Sequence, residues 1–259
     1  ERVDTFLKSK FHVSSNLKEA LEKDEIDVHY QPIMELDDQD VIGFEALIRW
    51  KHPEYGVISP LDFIPLAEET DVIFSIGEYV LAKACDDLKN LIDKFSLDPD
   101  TYVSVNMSGR QLQDIKVVRV IENAINAASI RPHNLMIEMT ERVLADKPIT
   151  RTTLYQLREM GVMIGLDDFG TGYSSLATLN HYPFDVLKID REFINHLDIN
   201  DKSQKTVSLI CNLARDLGMR TIAEGIETKE ELIAARNCGV DAAQGFYFAH
   251  ACAIEALEL

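Results

Sequence analysis

Basic residues are scarce in this chain. Lys and Arg number 26 against 44 Asp and Glu, which leaves a net charge of -18 over 259 residues. A surface of that sign repels duplex nucleic acid and anionic membranes, so no polymeric nucleic acid is expected as a partner. A phosphate-bearing ligand would need metal ions or a local basic group. Long apolar runs are missing too. Nothing approaches the roughly 20 residues of a membrane span, and the opening ERVDTFLKSK has no signal-peptide pattern. These absences point to a soluble, cytoplasmic chain with no membrane segment. The four cysteines, Cys85, Cys211, Cys238 and Cys252, include no CxxC spacing, which sets aside a zinc ribbon or a disulfide framework. Low-complexity stretches are absent, as is any obvious linker after residue 25. A chain that opens on Glu1 rather than Met reads as a segment of something longer.

What is present is a large apolar fraction, 46% of residues, enough for one sizeable core. Single barrels of about 250 residues commonly stand alone. Short β-branched runs alternate with helical patterns: VHYQPI, VIGFEALIRW, YVSVNMS, LMIEMT, VMIGLDDF, DVLKID, RTIAEGI and VDAAQGF. Eight such runs with helices between them predict an α/β, TIM-like (β/α)8 barrel. In SQKTVSLICNLARDLG, Val207, Ile210, Leu213, Ala214 and Leu217 share one helical face that stops at Gly218, and Thr228 with Glu231 has capping-box spacing. The first connection is different. Only MELDDQD separates the first two runs, too few residues for a parallel crossover of a dozen or more. The first strand should therefore run antiparallel.

In a parallel barrel the chemistry collects at the carboxyl ends of the strands. Here strand after strand carries a polar group near that end: Glu45, Asn106, Glu138, Asp167 with Asp168, Lys188, Glu224 and Gln244. The adjacent aspartates are the puzzle, because neighbours in a strand point to opposite faces. Two like charges beside a buried run suggest a cation. The carboxylates and the asparagine amide form a hard-oxygen set suited to magnesium or manganese. If the strand breaks there, Asp167 can bridge two metals about 3.5–4 Å apart while Asp168 serves one. Such a pair would hold a phosphodiester and activate a shared water for in-line attack. Lys188, beside several carboxylates, should keep its ammonium form. That suits orienting water or steadying phosphate charge better than Schiff-base chemistry, the aldolase-type alternative. Arg49, four residues beyond Glu45, could reach a phosphate oxygen, and Gln31 a base edge. An internal ion pair between Lys188 and Asp190 is the plainer alternative for LKID. Trp50 and Tyr173 are expected to pack rather than stack on a base.

These residues stand in YQPI, FEALIRW, VNMS, EMTE, DDFGTGYSSL, LKIDREFI, AEGIET and QGF, in that order. The chain thereby resembles, from about residue 15 to 250, the EAL family of bacterial phosphodiesterases acting on cyclic di-GMP. The eponymous tripeptide is Glu45-Ala46-Leu47. The resemblance implies a barrel with its first strand antiparallel over residues 15–259, preceded by a linker at 1–14 from an upstream GGDEF or sensory domain. It implies two Mg2+ or Mn2+ ions, one held by Glu45, Asn106, Glu138 and Asp167, the other by Asp167, Asp168 and Glu224. It places Glu45, Lys188 and Glu227 in the catalytic machinery, Lys188 at the catalytic water and Glu227 in support. It gives Gln31, Arg49 and Gln244 to the substrate or its surroundings, and Glu141 to anchoring the loop after Asp168. That loop, FGTGYSSL, would help form a homodimer. The expected reaction opens cyclic di-GMP to linear pGpG; the alternative is a catalytically silent receptor for the same dinucleotide. A histidine-aspartate metal phosphodiesterase is excluded, since none of the seven histidines precedes an aspartate. One departure falls after QGFYF, where the family usually has prolines and this chain has AHACAIEAL. It leaves the final strand-to-helix connection open and removes no expected ligand.

Overall fold

The computed structural model describes residues 10–144, 148–170 and 179–259. Its strands are β1 (Ile26–Glu35), β2 (Val41–His52), β3 (Gly56–Ile58), β4 (Tyr102–Asn106), β5 (Leu135–Thr140), β6 (Met163–Phe169), β7 (Val186–Ile189), β8 (Arg220–Ala223) and β9 (Ala242–Ala243). Eight of them close a ring in the order β1-β9-β8-β7-β6-β5-β4-β2, with β2 returning to β1. β1 is antiparallel to both its neighbours, and the remaining neighbours in the ring are parallel. The seven residues between the first two runs thus dictate what they promised, a reversed first strand in a TIM-like barrel. β3 was not legible. It is an antiparallel flap on the end of β2, and three residues are too few to show an alternation.

Between strands lie the covering helices, among them Val72–Phe95, Lys116–Ala128, Pro148–Glu159, Asp201–Asp216 and Lys229–Cys238. In Asp201–Asp216 the buried side chains are Val207, Ile210, Cys211 and Ala214; of the predicted stripe Leu213 and Leu217 are only partly buried, with Cys211 on the covered side instead, and the chain leaves the helix through Gly218 at φ +74°. Thr228 and Glu231 form the reciprocal capping box at the start of Lys229–Cys238. Among the described residues, no helix is long and apolar enough to cross a membrane.

Strand alternation divides the core in two. Outward residues such as Phe44, Val103, Ile137, Ile164 and Leu187 pack under the helices. Inward ones, Ile33, Tyr102, Met136, Val186, Ile222 and Ala242, fill the barrel as a separate apolar floor. Trp50 is fully buried in the outer layer and meets Phe63 edge-on at 5.4 Å, an arrangement worth about 0.5–1.5 kcal/mol beyond its area. Tyr173 lies outside the described residues.

The ring is thinnest at β9, two residues long. Beyond it the atypical AHACAIEAL segment takes over the edge of β1 in place of a helix. Tyr30 N–H donates to the Cys252 carbonyl at 2.8 Å and Cys252 N–H returns to Tyr30 at 3.2 Å. A 3-10 turn, Ile254–Ala256, follows, and Leu257 is buried. The glycine of QGF has a steric reason at this seam: a Cβ on Gly245 would lie 2.1 Å from the Ile226 carbonyl oxygen. Since backbone cannot swing aside as a side-chain tip can, Gly245→Ala is expected to lower stability by about 1–3 kcal/mol. Urea unfolding of the two proteins checks this.

Candidate active site

On most strands the floor and the mouth of the barrel are two residues apart; on β4 the step is four, from Tyr102 past Ser104 to Asn106. Met136 of the floor is followed by Glu138, Val186 by Lys188, Ile222 by Glu224 and Ala242 by Gln244. Gly165 and Asp167 on β6 repeat the step. On the reversed β1 the order inverts, so Gln31 precedes Ile33 and stands opposite Glu45 in register. A period of two therefore delivers one polar side chain per strand to one level. Gly165 makes room for that level, because a Cβ there would sit 3.1 Å from the Glu138 Cγ.

At the centre is the Lys188 ammonium, fully buried. Its Nζ lies 2.7 Å from Glu224 Oε1, 3.0 Å from Glu138 Oε2, 3.3 Å from Glu45 Oε2 and 3.5 Å from Asp167 Oδ1. Asp190 takes no part in this group; its carboxylate caps the next turn by accepting from Glu192 N–H at 2.7 Å. Glu45 gathers further donors, Asn106 Nδ2 at 2.8 Å and Gln244 Nε2 at 2.6 Å. Gln244 also reaches Glu224 at 3.3 Å.

The aspartate pair is resolved by the backbone. The β6–β7 register shifts between Leu166 and Phe169, and Asp168 adopts φ +55°, a left-handed conformation that aspartate tolerates better than most residues. The bulge re-aims Asp168, so that Asp167, Asp168 and Glu224 offer oxygens within 4.8 Å of one another.

One ammonium does not balance so many acids, and most of their carboxyls with a resolved shift are raised. Burial, with Glu45 and Asp167 adding repulsion against the help of Lys188, pushes Glu138 up to about 8. Burial and the charges of Asp167 and Asp190 push Asp168 up to about 6. Burial likewise holds Glu224 well above the ordinary carboxylate value. For Glu45, burial is outweighed by Lys188, Gln244 and Asn106, and its carboxyl is lowered. Burial alone would lower Lys188, but Asp167, Glu138, Glu224 and Glu45 together keep it well above its usual value, which opposes a Schiff-base role. The donor set suits a hard cation. Among the described residues Glu138 Oε1 is buried without a hydrogen-bond partner, a lone carboxylate oxygen of the kind a metal ion satisfies.

Not every expected residue joins this group. Gln31 is its neighbour in register, yet its Nε2 donates to the Ala249 carbonyl at 3.0 Å, in the atypical terminal segment. Arg49 is on the same side of β2 as Glu45, partly buried, and donates to the Ile48 carbonyl at 2.9 Å. Burial lowers its guanidinium although Glu45 supports it. Glu227 stays outside: its side chain is exposed, and its backbone N–H donates to Glu231 Oε2 at 3.0 Å. Glu141, expected to anchor the loop after Asp168, accepts from Gly170 N–H at 3.3 Å. Most of that loop, residues 171–178, lies outside the described residues. Two contacts of residues already singled out escaped the sequence reading. Asp190 presses on Asp168, and Glu231 holds backbone N–H groups of two loops. Only the capping-box spacing hinted at the second.

Fold and site together define a class: an α/β barrel whose mouth gathers carboxylates, an asparagine and one lysine around a place for hard cations. An EAL domain family model matches residues 14–251, and the chain belongs to the EAL domain family. The bifunctional diguanylate cyclase/cyclic di-GMP phosphodiesterase MucR of Pseudomonas aeruginosa is 40% identical over 232 residues, covering 89% of this chain and 34% of that protein. The cyclic di-GMP phosphodiesterase PdeR of Escherichia coli is 35% identical over 239 residues, 92% of this chain and 35% of the relative. A solved PaMucR phosphodiesterase in complex with c-di-GMP superposes with a TM-score of 0.87 at 38% identity, covering 94% of this chain and 98% of that one. The chain spans about a third of the length of the curated relatives it matches.

The raised acids make stability depend on pH with a definite sign. Glu138 titrates near 8 in the folded chain against an ordinary value of 4.5, so the folded state holds the extra proton between these limits. Its stabilising contribution is complete below 4.5 and is lost as pH rises through 8. In chelator, the melting temperature is expected to fall between pH 5.5 and 8.5, and Glu138→Gln to flatten that slope. Saturating Mg2+ should raise the melting temperature more at pH 8.5 than at pH 5.5. Lys188→Met should cost about 3–5 kcal/mol in chelator at pH 8, by stranding buried carboxylates, and less at pH 5.5. Thermal melts at the two pH values read both effects.

Proposed function

We propose that this domain is a metal-dependent phosphodiesterase that hydrolyses cyclic di-GMP to the linear dinucleotide pGpG by a two-metal mechanism. The observation that carries the reading is the charge of the mouth. Glu45, Glu138, Asp167, Asp168 and Glu224 surround or adjoin a single ammonium, Lys188. Fully ionised, they leave four negative charges after Lys188 is counted, which two divalent cations would balance. Hydrolysis is supported further by the relatives named as cyclic di-GMP phosphodiesterases and by the complex of one such domain with the dinucleotide.

In this reading Glu45, Asn106, Glu138 and Asp167 would hold one Mg2+ or Mn2+, and Asp167, Asp168 and Glu224 the other. When bound, the ions would supply Lewis-acid stabilisation of phosphoryl charge and a water made acidic enough to attack at neutral pH. The chain supplies the rest. Asp167 stands between the two halves of the site because the bulge at Asp168 turns its neighbour to the same side. Lys188 keeps its proton, so it donates to the attacking water or to a phosphate oxygen and does not act as a base. Gln244 holds Glu45 and Glu224 in a fixed relation. Arg49, on the wall beyond Glu45, faces the approach of an anionic ligand in a chain that is otherwise strongly acidic. The reading keeps the domain in the cytoplasm, as a homodimer downstream of a GGDEF or sensory domain.

Incubation of the purified domain with cyclic di-GMP and Mg2+ or Mn2+, with linear product read by chromatography, tests the proposal. Turnover should vanish in chelator, and Glu45→Ala and Asp167→Asn should each lower kcat by at least about 100-fold. Saturable binding without product under either metal would favour the silent receptor and sink the enzyme reading.

A further inference from the structure

Glu231 does more than close the helix Lys229–Cys238. Its side chain is 5% exposed, and its carboxylate accepts backbone N–H groups from two separate loops at the mouth. Oε1 accepts from His196 at 3.1 Å, in the segment after β7. Oε2 accepts from Glu227 at 3.0 Å and from Thr228 at 3.1 Å, in the segment after β8. Those segments begin just past Lys188 and at Glu224 respectively.

Two backbone features indicate that the junction is built for position. His196 sits at φ +59°, a conformation uncommon outside glycine, and its N–H is the one Glu231 holds. Gly225, directly after Glu224, has φ +74° and packs on Arg191, with an added Cβ only 2.8 Å from the Arg191 Cβ. Burial alone would raise the Glu231 carboxyl, but the N–H donors of Glu227, His196 and Thr228 bring it below its ordinary value. It therefore serves these bonds as an ionised acceptor at neutral pH, and charge-assisted bonds of this kind are roughly twice as strong as neutral ones.

We propose that Glu231 is a positioning residue for the cation site: by tying the segment after β7 to the segment after β8, it fixes the backbone that presents Glu224 to Asp167 and Asp168. The proposal rests on the reading of Glu224 as a metal ligand. A plain helix cap would need only the local pair, Thr228 Oγ1 accepting from Glu231 N–H at 3.2 Å and Glu231 answering the Thr228 backbone. The bond to His196 crosses 35 residues of sequence and contributes nothing to the local helix end.

Two kinds of variant separate these roles. Glu231→Gln retains the shape but replaces one acceptor oxygen by an amide NH2 group, which donates and cannot accept from the N–H groups it would face. Glu231→Asp keeps both oxygens but withdraws them by a methylene. Thr228→Ala weakens the cap and leaves the bridge to His196. Mn2+ affinity is measured by calorimetry without substrate, with far-UV circular dichroism and melting temperature alongside. Each Glu231 variant is expected to lose roughly tenfold in affinity with helix content unchanged, and Thr228→Ala less than twofold for a comparable fall in melting temperature. Equal affinity losses in Thr228→Ala and the Glu231 variants at matched melting temperature would overturn the proposal. So would unchanged affinity in both Glu231 variants. Failure of the wild-type chain to bind Mn2+ would instead overturn the reading of Glu224, which keeps the two results distinct.

Discussion

A buried ammonium shared among too many carboxylates is the constraint around which this barrel is arranged. Lys188 contacts Glu45, Glu138, Asp167 and Glu224 at 2.7–3.5 Å, and a solitary buried charge of either sign would be costly. Proximity makes each acid depend on the others. Glu45, with the most donors, is lowered, while Glu138 and Glu224 are raised. Such divergence among adjacent acids marks a site short of positive charge, the electrostatic condition that a bound divalent ion would relieve.

The fold meets that constraint with ordinary strand geometry. A floor of Ile33, Tyr102, Met136, Val186, Ile222 and Ala242 fills the barrel, and on these strands, except β4 where Ser104 comes before Asn106, the next inward position carries the chemistry. Floor and site are thus coupled, since a one-residue slip in register would move the acids to the outer face. At Asp168 the alternation is broken, and there a left-handed residue brings a second neighbouring carboxylate to the same place. Backbone strain at a functional position is accepted where surrounding structure holds it, here with Glu141 on Gly170 and Asp190 beside Asp168.

Support for the mouth comes from segments remote in sequence. The terminal residues complete the edge of β1 and engage Gln31, so this part of the wall depends on a stretch that departs from the usual family pattern. Across the barrel, Glu231 joins the segments after β7 and β8. Both devices use buried or shielded hydrogen bonds to backbone groups, whose loss would leave unpaired donors and acceptors.

The sequence by itself determined the eight barrel strands, their order along the chain and the reversed first strand, though not the short flap β3, because periodicity and loop length are local properties. It also determined which residue types could reach the mouth, because inward and outward positions alternate along any strand. The capping box of Thr228 and Glu231 was legible for the same reason. Tertiary structure alone decided the rest. It turned Asp168 toward Asp167, left Glu227 exposed, gave Gln31 a backbone partner in the terminal segment and made Lys188 the common neighbour of four acids rather than the ion-pair partner of Asp190. Each of these depends on a dihedral angle or on a contact between residues far apart in the chain, and neither is written in the spacing of residues along it.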